Sequence, residues 1–538
     1  MHPFFVASSF DTNYPDTFLS GTAYHQENII IDSEGLIEYI SKHGKNTLSE
    51  LKEGRFILAY LSKNKYFIRS DITGQELVFY YKNDDSWIVS TSFLYILEIL
   101  SKRKIPVSLN KSALSVFRIS HSFGDSLATN DSVVNEIKVL SANKQIIIDK
   151  NTKKFNILDI DDTKADIDKE VSETINEYIN KWGRRISALS KLPNQHRIKC
   201  DISGGVDSRA VLGLILSSGV DLKRFDFSSN PSWVDDYNIA KILASAYGFK
   251  LNTISSNVVN KPLSITKQFE LFCYSSIGVY RNVYLPTNNN STNFHFSGSG
   301  GENIRQFYNA TPNEFINRFK KYFTHENFVF EDFKDMFLKC LIEYNISPDD
   351  PKGMIKHYRN FRSRFHFGRE WYKRYNAILI TPLFDSTLNS LCDELPIDAI
   401  EKNSILLSMM IGSSLSLPLF PFDKPQKSFD VELYKSIVHS FTEQAPKNEP
   451  ASCEVFFNPE KNNFQNVFVD NHKYNFDSFS QAALERIKLL SDVNVMKFSS
   501  KEELLETIDV LSSEQSRAAY SKSTYLILLS YLQEYHVI

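Results

Sequence analysis

Hydrophobic and polar positions follow two different rhythms along this chain. Up to about residue 160 the apolar positions fall in short runs rich in Val, Ile, Phe and Tyr, cut by polar turns, which is the pattern of β-strands. Residues 55–60, 65–69, 77–81 and 87–90 are predicted as strands, with turns at Ser62-Lys63-Asn64 and Asn83-Asp84-Asp85. Residues 92–101 carry a helical period, and 139–149 read as one late strand. The opening residues, Met1 to Val6, are predicted as a first strand, because they lack the basic stretch and longer apolar run of a secretory signal. Asp159 to Asp168 is acidic and polar and reads as a linker.

Beyond the linker the period becomes helical over 167–189 and the order of elements changes. A strand over 196–202 leads to a helix over 208–218 ended by Gly219, then a strand over 224–227 and a helix over 234–247 ended by Gly248. A short strand at 294–296 follows a polar turn at Asn288-Asn289-Asn290-Ser291. Alternating strands and helices predict a parallel α/β sheet. Residues 310–538 read as mainly helical, and no internal repeat is visible. The predicted division is 1–165 and 166–538.

Composition narrows the class without naming it. At 538 residues the chain exceeds one ordinary core, and 42% hydrophobic with 23% charged residues is typical of a globular protein. A formal net charge of -3 gives no sign of a nucleic-acid or membrane-surface partner. No apolar run approaches the roughly 20 residues of a membrane helix. The five cysteines are scattered and form no C-x-x-C, which argues against a disulfide framework or zinc site and fits a reducing cytoplasm. Cys200, inside an apolar strand, reads as a buried small hydrophobe.

The chemistry concentrates in Ser203-Gly204-Gly205-Val206-Asp207-Ser208. A buried strand ends, two glycines follow and a helix begins. Glycines let backbone N–H groups approach an anion, the helix start adds positive dipole, and Ser203 and Ser208 add hydroxyl donors. That arrangement suits phosphate. Asp207 repels phosphate unless it holds Mg²⁺, which takes carboxylates and bridges phosphate oxygens. The loop therefore points to pyrophosphate as a leaving group, and not to a Walker loop, which carries Lys. A second loop, Ser297-Gly298-Ser299-Gly300-Gly301-Glu302, also follows a strand. Its backbone is expected to line the nucleotide, with Glu302 as second Mg²⁺ ligand.

These motifs resemble the asparagine synthetase family, which includes β-lactam synthetases and lasso-peptide cyclases. The family's S-G-G-x-D-S matches Ser203 to Ser208, and its S-G-x-G-x-[DE] loop resembles Ser297 to Glu302. Its P-F-L-D segment resembles Pro382-Leu383-Phe384-Asp385. Its basic segment, with a lysine that stabilises the adenylate, resembles Lys424-Pro425-Gln426-Lys427, with Lys427 the first choice and Lys424 the alternative. Arg281 resembles a family arginine. The resemblance implies an α/β and α+β chain: an N-terminal NTN-type β-sandwich, then a PP-loop parallel-sheet domain with a helical C-terminal region. Residues 54–59 and 68–74 resemble central strands of the family's glutaminase domain, yet His2 stands where a working glutaminase has Cys, so glutamine hydrolysis lacks a nucleophile.

Ser299 is a second departure, since asparagine synthetases carry Glu there and an attacking amine needs a base. His295, Tyr274 and Asp385 are the candidates. The resemblance then implies an AMP-forming ligase that uses ATP and Mg²⁺ to adenylate a small-molecule or peptide carboxylate and pass it to an amine or ammonia. A lasso-type macrocyclase and an inactive scaffold are the alternatives, and the reading is compatible with a homo-oligomer.

Overall fold

The apolar runs pair into three sheets in the computed structural model, which describes residues 4–11, 15–119, 121–160, 170–194, 196–253, 265–282, 294–368, 377–441, 453–458, 476–513 and 517–538. The strands of the first part are β1 (Val6–Ser8), β2 (Thr17–His25), β3 (Asn28–Ile31), β4 (Glu53–Ser62), β5 (Lys65–Ser70), β6 (Phe79–Lys82), β7 (Trp87–Ser90), β8 (Ile137–Val139), β9 (Lys144–Asp149) and β10 (Phe155–Asp159). Those of the second part are β11 (Ile198–Asp201), β12 (Phe225–Ser228), β13 (Phe294–Phe296), β14 (Ile378–Ile380) and β15 (Val455–Phe456).

Two sheets face each other in the first part, in the orders β1-β7-β6-β8 and β10-β9-β5-β4-β2-β3-β15. Side chains alternate across a strand, so one set of residues fills the space between the sheets. Ile57, Ala59, Tyr66 and Ile68 meet Val78, Val89 and Leu140 there. The opposite set, including Phe56, Leu58 and Tyr60, packs under Leu36 and Tyr39 of the helix Asp32–His43. β15 enters from far along the chain and pairs parallel to β3.

The second part is a parallel sheet in the order β12-β11-β13-β14. β12 lies on one side of β11 and β13 on the other. The chain thus reverses direction across the sheet at β11, and the loops that leave β11 and β13 flank a crevice. Crevices of this kind, at the carboxyl ends of parallel strands, are where open α/β sheets bind ligands. The molecule is therefore mixed α/β, with parallel and antiparallel sheets and many helices.

Buried polar contacts join the two parts. Arg55 donates to Glu76 at 2.9 Å and to the Phe367 carbonyl at 2.6 Å, and Arg364 donates to the carbonyls of Gly74 and Leu140, both at 2.9 Å. Thr381, just after β14, donates to Gln75 at 2.8 Å. Glu53 receives both Lys181 and Arg185 of the helix Val171–Ser190.

Several expectations change at the level of elements. The strand expected over 77–81 begins at Phe79, and that over 139–149 breaks into β8 and β9 at a turn where Lys144 N–H donates to Ser141. Strands β2, β3, β10, β14 and β15 were not expected. The helix expected at 208 starts at Val206, with Gly205 as its cap, so Asp207 and Ser208 sit in its first turn. His2, the polar turn at 288–291 and residues 161–168 of the predicted linker lie outside the described residues. Among the described residues no helix is long and apolar enough to cross a membrane.

Candidate active site

The loop Ser203 to Ser208 leaves β11 at the centre of the parallel sheet and turns at once into the helix Val206–Ser217. Its own polar groups hold it. The Ser208 hydroxyl accepts from Ser203 N–H at 3.1 Å and lies 2.9 Å from the Ser203 hydroxyl, which accepts from Gly205 N–H at 3.1 Å. Gly204 N–H donates to Asp236 at 2.8 Å, from the helix Val234–Tyr247.

The second loop closes directly onto the first. A Cβ on Gly298 would meet Ser208 N at 2.7 Å, and one on Gly301 would stand 2.0 Å from Asp207 Oδ1. Glycine is required at both positions because the two loops touch. Gly300 has φ of 105° and lies against Leu383 and Phe384, so the segment Pro382 to Asp385 supports this loop from beneath. The Ser297 and Ser299 hydroxyls bond each other at 2.7 Å.

Asp207 and Glu302 converge on one cation, the guanidinium of Arg305. Arg305 Nη2 lies 2.9 Å from Asp207 Oδ2 and 3.3 Å from Glu302 Oε1. Asp207 Oδ1 and Glu302 Oε2 are buried and accept no hydrogen bond. Burial, with Glu302 adding to it, pushes the Asp207 carboxyl up to about 7 against the pull of Arg305 and Lys427. Buried carboxylate oxygens without donors are costly, and a hard cation satisfies them. Two carboxylates suit Mg²⁺, which takes one or two from protein and the rest from phosphate and water. Among the described residues no cluster of three or more His, Cys, Asp or Glu side chains forms a metal cage. A site completed by phosphate fits better than one made by protein alone.

Lys427 and Lys424 part company. Lys427 lies 2.7 and 2.9 Å from the two oxygens of Asp423, whose N–H bonds the Gly204 carbonyl at 3.2 Å. This brings its charge beside the first loop. Lys424 is exposed and starts the short turn Pro425–Lys427. Arg209, fully buried one residue after Ser208, positions the segment. It donates to the carbonyls of Phe420 and Pro421 at 2.7 and 2.6 Å and stacks 3.7 Å from the centre of the Phe422 ring.

The three candidate bases stand in different settings. Asp385 caps the helix Ser386–Glu394 through Thr387 N–H at 2.7 Å and pairs with Lys181 at 3.3 Å. Tyr274 donates to Glu98 of the helix Phe93–Lys102, outside the loop pair. His295, on β13, places Nε2 2.7 Å from Asp201 at the carboxyl end of β11. Arg281 is bound to Asp125 at 3.0 Å and to the carbonyls of Phe117 and Ile119, and so ties these three residues together.

Sequence reasoning missed Arg305, Arg209, Asp236 and Asp423. Arg209 had a signal, the one basic residue in the otherwise largely apolar helix Val206–Ser217. Arg305 had a weaker one, three residues after Glu302. Comparison with protein families finds no matching model, and no curated protein is significantly similar in sequence.

Proposed function

We propose that this chain is an asparagine synthetase-like ligase that adenylates a carboxylate with ATP and transfers the acyl group to an amine or ammonia, releasing AMP and pyrophosphate. In this reading the parallel sheet belongs to a PP-loop domain, and the antiparallel part is a degenerate NTN-type sandwich without glutaminase activity. The observation that carries it is the closure of two glycine loops over the partly buried trio Asp207, Arg305 and Glu302 at the crevice beside β11.

In the first step a substrate carboxylate oxygen attacks the α-phosphorus of ATP, and the bond to the β-phosphate breaks. The loop of Ser203, Gly204, Gly205 and Ser208 receives the leaving pyrophosphate, its amides and hydroxyls exchanging the bonds they make within the loop and to Asp236 for bonds to phosphate oxygens, with Ser297, Gly298 and Gly300 lining the opposite side. Mg²⁺ held by Asp207 and Glu302 would offset charge on that leaving group. Lys427, already beside the loop on Asp423, supplies a further positive charge as negative charge develops. In the second step the amine attacks the acyl carbon, and AMP leaves with the former carboxylate oxygen. The amine's proton passes to a base, for which His295 is the choice, oriented by Asp201 as a carboxylate orients a catalytic imidazole.

The oxygen transfer gives the test. Carboxylic acids labelled with ¹⁸O, supplied as a panel with ATP, Mg²⁺ and an amine, should deliver one label to AMP by mass spectrometry. Formation of ADP and phosphate instead would overturn the adenylation step.

A further inference from the structure

Arg305 is bound unlike the arginines that fix the fold. Arg209 gives two nitrogens to the carbonyls of Phe420 and Pro421, and Arg184 grips Glu27 through both Nε and Nη2. Arg305 touches Asp207 and Glu302 through one nitrogen, Nη2, and only the contact with Asp207 is a hydrogen bond. Its Nε and Nη1 make no hydrogen bond among the described residues, and the side chain is 28% exposed. A guanidinium binds an anion most strongly through its fork, and one nitrogen shared by two acids uses little of it.

The pairing is also incomplete in charge. Two carboxylates face one cation, and Asp207 Oδ1 and Glu302 Oε2 are sealed from solvent without a donor. A cation from outside therefore reaches each carboxylate at its other oxygen, where Arg305 stands. Mg²⁺ carries twice the charge of a guanidinium and approaches carboxylate oxygens more closely, so it is the stronger occupant. With Mg²⁺ in place the charge of Arg305 is surplus to the two acids. The backbone beneath Arg305 is fixed. Asn303 is tied by its N–H to the Gly300 carbonyl at 2.9 Å and by its carbonyl to Arg359 at 2.6 Å. Arg305 follows the short turn Gly301–Ile304, so rotation of its side chain is enough to move the charge. Nη2 lies 2.9 Å from Asp207, in the first turn of the helix whose start faces the phosphates in the proposed reaction.

We propose that Arg305 is a stand-in for the metal: in the ligand-free protein it holds Asp207 and Glu302 together, and once Mg²⁺ is bound there it turns to an oxygen of the ATP phosphates. The two tasks have opposite consequences. As a placeholder Arg305 competes with the metal, and as a phosphate ligand it strengthens nucleotide binding. The nucleotide half rests on the ligase reading, and the metal half on the carboxylate pair alone.

Mn²⁺, titrated into the full chain without nucleotide and followed by the electron paramagnetic resonance signal of the free ion, is the first probe. Arg305→Met should bind it about tenfold or more tightly than wild type, since a competing charge is gone. α,β-Methylene-ATP with saturating Mg²⁺, titrated calorimetrically, is the second. The same variant should bind it at least about tenfold more weakly. Arg305→Gln is neutral but can still donate to Asp207, so it guards against collapse of the site and should shift both affinities in the same directions. A residue with only a structural role would weaken both probes together. That result, an unchanged Mn²⁺ affinity, a nucleotide affinity that wild type and variants share, or no Mn²⁺ binding to any form would each overturn the assignment. Tighter Mn²⁺ binding by the variants with no nucleotide bound by any form, or opposite shifts with no adenylation of any acid, would instead sink the ligase reading alone.

Discussion

The antiparallel sandwich and the crevice of the parallel sheet use buried charge in opposite ways. In the sandwich the longest strands have ten residues in β4 and nine in β2, and the charges of Arg55 and of Arg364, which reaches it from the second part, are met by fixed partners. Arg364 is held by two carbonyls and Arg55 by Glu76 and a carbonyl. In the crevice the strands have three or four residues, and two partly buried carboxylates share one guanidinium while a buried oxygen of each goes without a donor. The first pattern fixes one structure. The second leaves charge available to something that arrives, and its cost to the ligand-free fold is a sign of where chemistry takes place.

The sharpest way to break this contrast is Asp207→Asn. Adenylation should fall at least ~10³-fold, about 4 kcal/mol of transition-state stabilisation. Stability should move the other way. The folded carboxyl is raised to about 7 from an ordinary 3.8, so its contribution is present below 3.8 and lost as pH rises through 7. At pH 8 the ligand-free variant should therefore be more stable, by about 1–3 kcal/mol in denaturant titration. A variant that is both inactive and less stable would place Asp207 with the structural charges of the sandwich.

Lys427→Ala should lower turnover about 10²-fold or more, against less than about twofold for Lys424→Ala, because one charge stands beside the loop and the other in solvent. Equal effects would remove the distinction drawn from Asp423. On the sandwich side, Arg364→Leu should cost about 3 kcal/mol by orphaning the carbonyls of Gly74 and Leu140. Unfolding midpoints should fall while the KM for ATP stays constant in the surviving folded enzyme.

Much of the sandwich was legible because strands such as 65–69 and 87–90 are built on short unbroken apolar runs, Tyr66 to Ile68 and Trp87 to Val89. β15 was not, since two residues carry no period, and β3 alone makes them a strand. β14 is Ile-Leu-Ile, a run too short to separate from a buried helix turn. The glycine loops were legible because their residue types have a mechanical reason: Gly301 leaves room for the Asp207 carboxylate, and Gly298 for the backbone of Ser208. Arg305 was hidden because its role exists only once the two loops meet. Arg281 illustrates the reverse, since its neighbours bind it to Asp125 and two carbonyls.

A smaller effect separates buried groups by their response to acid. His357 is 1% exposed and donates Nε2–H to the Ala128 carbonyl at 2.8 Å, and burial pushes its pKa down to about 4. It is neutral in the folded state, so its contribution is complete above about 6.5 and is lost as pH falls through 4, up to about 3 kcal/mol. Wild type should show this acid slope in chemical denaturation, and His357→Gln should flatten it. The smallest expected change is Ser92→Ala, about 1 kcal/mol, from loss of the cap on Tyr95 N–H.

ATP–pyrophosphate exchange tests the central claim most directly. Folded wild-type protein, with ATP, Mg²⁺, labelled pyrophosphate and a panel of carboxylic acids, should exchange label only when its acid is present, and Asp207→Asn should abolish the exchange. Exchange that persists at wild-type rate in Asp207→Asn, or its absence with every acid in folded protein, would contradict the account.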